Sequence, residues 1–278
     1  MSTTPHRASI AVIDAKRRGI GLNVREIWAY RELLGFFAWR DFTARYKQTA
    51  LGFAWAVLQP VLMTVVFTIF LGRLAKLPSD GIPYVPFVLA GLVPWTFFNN
   101  ATTAGSESLV ASGAVLSKVW FPRIVLPVGT ALAWLPDVVI ASCLLVGVAA
   151  VYGIGVHVTL LLAPAFLLLA MLVATAAATW LAPLNVAYRD VRYGLTLLMQ
   201  LWLFATPVAY PASLVPQRMR PWLALNPMTS VIEGFRWCVI GGPRPGRELL
   251  VSLAVTLAAL MSGLIYFHRS EPFFADVI

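Results

Sequence analysis

Along this chain long apolar runs alternate with short polar ones. Six runs approach the roughly 20 residues that a helix needs to cross a bilayer, at 53–75, 84–108, 124–152, 158–182, 195–210 and 248–268. The fifth is short on strict counting. The pattern predicts an all-α integral membrane protein of six transmembrane helices. It divides the chain into an N-terminal segment (1–52), a six-helix domain (53–268) and a short tail (269–278). Pro83, Pro86 and Pro94 near the start of the second run, with Pro127 and Pro136 in the third, are tolerated where neighbouring helices satisfy the freed carbonyls.

Before the first run, residues 23–41 read as a helix lying in the membrane surface. At about 100° per residue, Arg25, Glu32 and Arg40 share an arc of about 80°, and Val24, Ile27, Trp28, Leu34 and Trp39 fall largely elsewhere. The aromatic load of Trp28, Tyr30, Phe36, Phe37 and Trp39 favours an interfacial helix over a cytosolic one. Between the fifth and sixth runs, residues 211–247 are too long for a turn and too apolar for a solvated linker. Pro216, Pro221, Pro227, Gly234 and Gly241 break the segment, which predicts short helices re-entering the outer leaflet.

Composition agrees with a membrane domain. Of 278 residues 59% are hydrophobic and only 12% charged, with a mean hydropathy of +0.79, whereas soluble domains carry about 25% charged residues. The net charge of +9 is spread along the chain with no soluble fold to present it, which argues for topology and not nucleic acid. With both termini cytoplasmic, the inner segments hold fourteen of the 21 Lys and Arg residues and the outer loops seven. The positive-inside rule supports that orientation.

Chemistry is sparse. The four lysines follow Ala15, Tyr46, Ala75 and Ser117, so the chain lacks the Gly-Lys-[Ser/Thr] of a phosphate-cradling loop, and nucleotide energy has to come from another subunit. Three histidines lie far apart, and Cys143 and Cys238 show no metal or disulfide spacing, so neither a catalytic nor a metal site is expected. Asp137 is the main charge near a span interior; an isolated acid makes a poor proton relay, and a hydrogen-bonding role within the bundle is the expectation. Two inner loops, 116–123 and 185–192, mix charges with aromatics in the manner of a protein interface.

These loops and their neighbours resemble the membrane subunits of bacterial ABC polysaccharide exporters, the type-two permeases for O-antigen, capsule and teichoic acid. The similarity rests on Arg40-Asp41-Phe42-Thr43-Ala44-Arg45-Tyr46-Lys47 with Trp55 and Leu58-Gln59-Pro60, and on Ala90-Gly91-Leu92-Val93-Pro94-Trp95. It continues through Lys118-Val119-Trp120-Phe121-Pro122-Arg123, Asn185-Val186-Ala187-Tyr188-Arg189-Asp190-Val191, and Leu225-Asn226-Pro227-Met228 leading to Glu233-Gly234-Phe235-Arg236-Trp237. Trp120 stands where the family suggests Tyr.

The resemblance implies a homodimeric, multi-pass permease of the bacterial inner membrane that moves lipid-linked polysaccharide with two ABC ATPase subunits on its cytoplasmic side. It implies no cofactor in this chain, with ATP and Mg held by the partner subunit. Leu116, Ser117, Lys118, Val119, Trp120, Phe121, Pro122 and Arg123, with Tyr188, Arg189 and Asp190, would couple to the ATPase, and Asn226, Pro227, Glu233 and Arg236 would belong to an external gate. Trp55, Phe67, Phe70, Trp202, Phe204 and Tyr210 are candidates to line the substrate conduit, because aromatic faces pass sugar C–H surfaces with few directional bonds. An ion-coupled secondary transporter is the alternative; it predicts several interior ionisable groups and repeat symmetry, and the sequence shows neither.

Overall fold

A computed structural model describes residues 28–47, 49, 52, 54–116, 118–119 and 121–277. Residues 23–27 of the expected surface helix, and Ser117 and Trp120 of the first inner loop, lie outside the described residues. All regular structure among the described residues is helical. Helix α1 (Arg31–Tyr46) precedes α2 (Ala54–Phe67), which runs on through a π-helical stretch, Thr68–Leu74. Then come α3 (Tyr84–Ala111), the short α4 (Gly113–Leu116), α5 (Val125–Leu132) and α6 (Leu135–Val151). A 3₁₀ turn, Val158–Leu162, leads into α7 (Ala163–Ala187), followed by α8 (Val191–Ala205), α9 (Arg220–Ala224), α10 (Pro227–Ile240) and α11 (Glu248–Val277).

Among the described residues, four stretches are long and apolar enough to cross a membrane: Ala54–Leu74, Val125–Val151, Val158–Ala187 and Glu248–Pro272. The other two expected spans differ from these for identifiable reasons. Helix α8 is apolar but has only 15 residues, about 22 Å of rise. Helix α3 has 28 residues, about 42 Å, but Asn99, Asn100, Thr102, Thr103, Ser106, Glu107 and Ser108 dilute its second half. Those side chains are tolerated because α3 is the central helix, with most of its residues buried against other helices.

The α3–α7 seam shows how sequence sets this packing. Ala170, Ala174, Ala178 and Ala182 recur every fourth residue, all essentially inaccessible, and so form a smooth strip along one face of α7. Small residues let backbones approach closely in a membrane, where packing replaces the hydrophobic drive. A Cβ on Gly105 of α3 would stand only 2.7 Å from the Ala178 Cβ, so glycine is what that approach requires. Asn185 Nδ2 closes the seam with a 3.0 Å bond to the Ser106 carbonyl.

Helix α10 is equally legible. The Asn226 side chain accepts from Met228 N at its N-cap, Pro227 occupies the first turn where its missing N–H costs nothing, and Gly241 ends the helix at φ 72° in the left-handed region. Nearly every residue between is buried. Gly234 faces the ring of Phe166, which occupies the space a Cβ would take.

Two clusters define the ends of the bundle. At one end Leu34 and Phe37 of α1 meet Leu109, Phe121, Val125, Leu126, Ala182, Val186, Phe267 and Phe274. At the other, Tyr84 Oη bonds the Ala209 carbonyl at 2.8 Å and Ser213 Oγ bonds Asp80 Oδ1 at 2.6 Å. Helix α1, the α3–α5 loop, the α7–α8 loop and the last turns of α11 therefore share one end. The last helix continues through the tail to Val277.

Candidate functional site

At the α1 end, the inner loop is fastened from both sides. Phe121 is buried, with its ring 5.5 Å from Phe37 of α1. Arg123 Nη1 donates to the Glu271 carbonyl of α11 at 2.5 Å, and its guanidinium lies 5.6 Å over Phe274, which in turn packs on Phe267. Phe121 and Arg123, two of the eleven residues expected to couple to a partner, thus pack against this chain's own helices. Lys118 and Val119 face out, and Leu116 and Pro122 are half-buried. In the second loop Tyr188, Arg189 and Asp190 are exposed, and Arg192 pairs with Glu107 at 2.8 Å, tying this loop to the end of α3. The outward set at this end joins one cation, one apolar side chain and a Tyr-Arg-Asp triplet, a surface suited to docking a protein.

At the opposite end, Asn226 is a junction as well as a cap. Its Oδ1 also accepts from Trp202 Nε1 at 3.2 Å, and its Nδ2 donates to Thr206 Oγ1 at 2.8 Å, so α8 is tied to α10. Arg236, counted in the sequence among outer-loop charges, is buried. Its Nε donates to the Phe87 carbonyl at 3.2 Å, Nη1 to the Pro207 carbonyl at 2.7 Å and Nη2 to the Val208 carbonyl, while the guanidinium lies 3.8 Å over the Phe87 ring. Gly91 sits beneath it: a Cβ there would stand 2.5 Å from Val208 O and 2.6 Å from Arg236 Nη2. Pro227 is buried in the first turn of α10. Glu233 is half-buried, and that burial pushes its carboxyl above the usual carboxylate range against the pull of Arg236.

A third constellation joins α1 to the third span. Tyr46 Oη donates to Asp137 Oδ1, Arg45 Nη2 lies 3.2 Å from Asp137 Oδ2 and also donates to the Ala133 carbonyl, and the Arg45 guanidinium stacks 3.5 Å over Trp134. Burial lowers the pKa of Arg45 while Asp137 holds it up; burial and the bond to Asp137 raise that of Tyr46. Asp137 accordingly has the hydrogen-bonding role expected of it. Its partners could not be named from sequence, since some 90 residues separate them.

The sequence profile of the ABC-2 type transporter family matches residues 32–240. The chain belongs to that family. It is 31% identical over 254 residues to an O-antigen export system permease protein RfbA of Myxococcus xanthus, covering 90% of this chain and 97% of that one. An O-antigen export system permease protein RfbA of Klebsiella pneumoniae is 22% identical over 248 residues, covering 89% and 95%.

In this ABC-2 chain the six aromatic conduit candidates divide. Phe67 is buried, and Trp202 points inward to pack edge-on at 5.2 Å against Phe98. Tyr210 is half-buried and bonds the Phe204 carbonyl at 3.0 Å. Trp55, Phe70 and Phe204 are exposed, the last two among further exposed apolar residues of their helices such as Val66, Ile69, Leu197 and Leu201. Trp202 therefore helps hold the α8–α10 junction through Asn226, Tyr210 closes back on the end of α8, and of the six only Trp55, Phe70 and Phe204 are exposed.

Proposed function

We propose that this chain is the transmembrane subunit of an ATP-driven exporter that carries lipid-linked polysaccharide from the cytoplasm across the bacterial inner membrane. The observation that carries the reading is the similarity to an O-antigen export permease over 97% of that protein's length, set on a helical bundle with four membrane-length apolar stretches. A hydrated polymer cannot enter hydrocarbon, since each unpaired polar group costs several kcal/mol, so it needs a protein-lined path. In this reading two copies of the chain enclose that path, each with six membrane passes, α3 and α8 among them, and with short re-entrant helices over 211–240. Trp55, Phe70 and Phe204 offer it ring faces. Two ABC ATPase subunits, holding ATP and Mg, dock on the α1 end through Lys118, Val119, Tyr188, Arg189 and Asp190. Helix α10 and its Arg236 clasp form the outer closure.

Ion-coupled transport is not favoured. The membrane-embedded acid Asp137 already has Arg45 and Tyr46 as partners, which leaves it poorly suited to carry a travelling proton.

Two measurements test the reading. Cells lacking the chain accumulate lipid-linked polymer on the cytoplasmic face, and the wild-type protein purifies with an ABC ATPase whose loss gives the same accumulation. Normal surface polymer in the deletion strain would refute the assignment. For orientation, single cysteines at Lys118 and Pro216 react with impermeant reagents from opposite faces; labelling of both from outside would invert the topology.

A further inference from the structure

A cavity of about 270 Å³ opens between α1, α2, α3 and the third span. It is smaller than the roughly 300–1,000 Å³ pockets that take drug-sized ligands and suits a single pyranose ring. Arg45, Tyr46, Trp55, Gln59, Thr96, Asn100, Trp134 and Asp137 supply its polar and aromatic lining, the last two reaching in from the third span. Ala56, Pro60, Val93, Phe97, Val138 and Ala141 make up the larger, apolar part of the wall, and the polar groups set the space apart from a packing defect lined by aliphatic side chains alone.

Charge decides what the cavity could take. Arg45 and Asp137 form an ion pair at 3.2 Å, so the wall presents no uncompensated cation to hold a phosphate. Among the described residues two buried atoms of this pair, Arg45 Nε and Asp137 Oδ2, lack a hydrogen-bond partner. Arg45 Nε is thereby an unsatisfied donor, rare for a buried group, while Asp137 Oδ2, held by charge against Arg45 Nη2 at 3.2 Å, keeps a lone pair for a further donor. The Gln59 and Asn100 amides and the Thr96 hydroxyl add groups that can both donate and accept. The Trp134 face is covered by the Arg45 guanidinium at 3.5 Å, whereas Trp55 is 48% exposed and has ring surface to offer. Paired donors and acceptors beside one free indole face match a neutral, hydroxyl-bearing ring with a C–H side.

We infer that this cavity is a sugar-binding subsite at the α1 end of the permease, taking one neutral pyranose of the polymer beside Trp55 as the substrate is loaded. The inference rests on the exporter reading and adds to it a place and a ligand chemistry. It assigns the Arg45–Asp137 pair a double use: it pins α1 to the third span and orients hydrogen bonds toward the sugar.

The test uses the permease–ATPase complex in lipid nanodiscs, with Gln59→Cys in a Cys143→Ala, Cys238→Ala background and Thr96→Cys as a second reporter. Labelling by a small maleimide is followed with methyl glucoside, N-acetylglucosamine or oligosaccharide released by mild acid from the host's own polymer. A saccharide at about twice its dissociation constant slows labelling about threefold, and Trp55→Ala abolishes that protection. Glycerol and inorganic pyrophosphate leave the rate unchanged. Absence of protection at both positions by every saccharide overturns the proposal, as does protection by pyrophosphate alone, which would assign the cavity to a phosphate headgroup. Polymer export by the wild-type complex is measured in parallel, so a failed subsite is distinguished from a failed exporter assignment.

Discussion

Replacing Arg236 with alanine lowers the yield and thermal stability of the permease more than any other change at the outer end. The Pro207 and Val208 carbonyls lie beyond the last residue of α8, where no helical N–H reaches them, and the guanidinium fork is their donor. Each buried carbonyl left alone costs about 1–3 kcal/mol. A cavity also opens over Gly91 and the Phe87 ring. Relief of the buried charge offsets part of this, for a net loss of roughly 2–4 kcal/mol. Arg236→Lys recovers little, because one ammonium cannot serve three carbonyls and stack on Phe87 at once. Thermal unfolding of the purified protein in detergent is the measurement; an Arg236→Ala protein melting at the wild-type temperature would show that the clasp is dispensable.

Phe121→Ala and Arg123→Ala separate ATP hydrolysis from export. In the proposed complex the ATPase pushes on the outward residues of the inner loop, and the push reaches the membrane helices only through the side chains that fasten the loop. Phe121 carries it to α1 through Phe37, and Arg123 carries it to α11 through the Glu271 carbonyl and Phe274. Emptying a buried Phe site costs about 3–5 kcal/mol where the surroundings do not collapse, enough to let the loop move without its neighbours. Polymer export falls about tenfold or more, ~1.4 kcal/mol in the coupled step, while the variant complex still assembles and hydrolyses ATP. Lys118→Ala, by contrast, weakens association of the ATPase. If Phe121→Ala and Arg123→Ala lose the ATPase as Lys118→Ala does, both residues belong to the docking face and the fastening role is wrong. Export at the wild-type rate removes the loop from the coupling path altogether.

Hydropathy registers how apolar a window is and not what covers it. Helix α3 and the lipid-length stretches all read as spans, yet α3 is buried by protein and keeps amides and hydroxyls that lipid would not accept. The same blindness affects charge: Arg236 counts as an outer-loop cation in any tally along the chain, although three carbonyls hold it inside. Phe121 and Arg123 stand beside Lys118 in the inner loop with the aromatic and cationic character of a docking surface, and only the packing of α1 and α11 shows that they face inward. Phe67 and Trp202 lie at helical spacing among other aromatics, where sequence offers no means of separating ring faces that point out from those that pack.

What the chain determined alone is local or additive. Run lengths fix the apolar helices, the Asn226-Pro227 start and Gly241 stop fix α10, and the four-residue repeat of alanines in α7 fixes where another helix can come close. These follow from backbone geometry and from composition summed over short windows. Which charge meets which partner was decided only by tertiary structure. Arg45 and Tyr46 reach Asp137 because α1 folds back along the third span, and Arg236 reaches the end of α8 because α10 turns inward beside α3. A buried ion or carbonyl is stabilised only by a partner within a few ångströms. Nothing in the spacing of residues along the chain encodes that distance until the helices have packed.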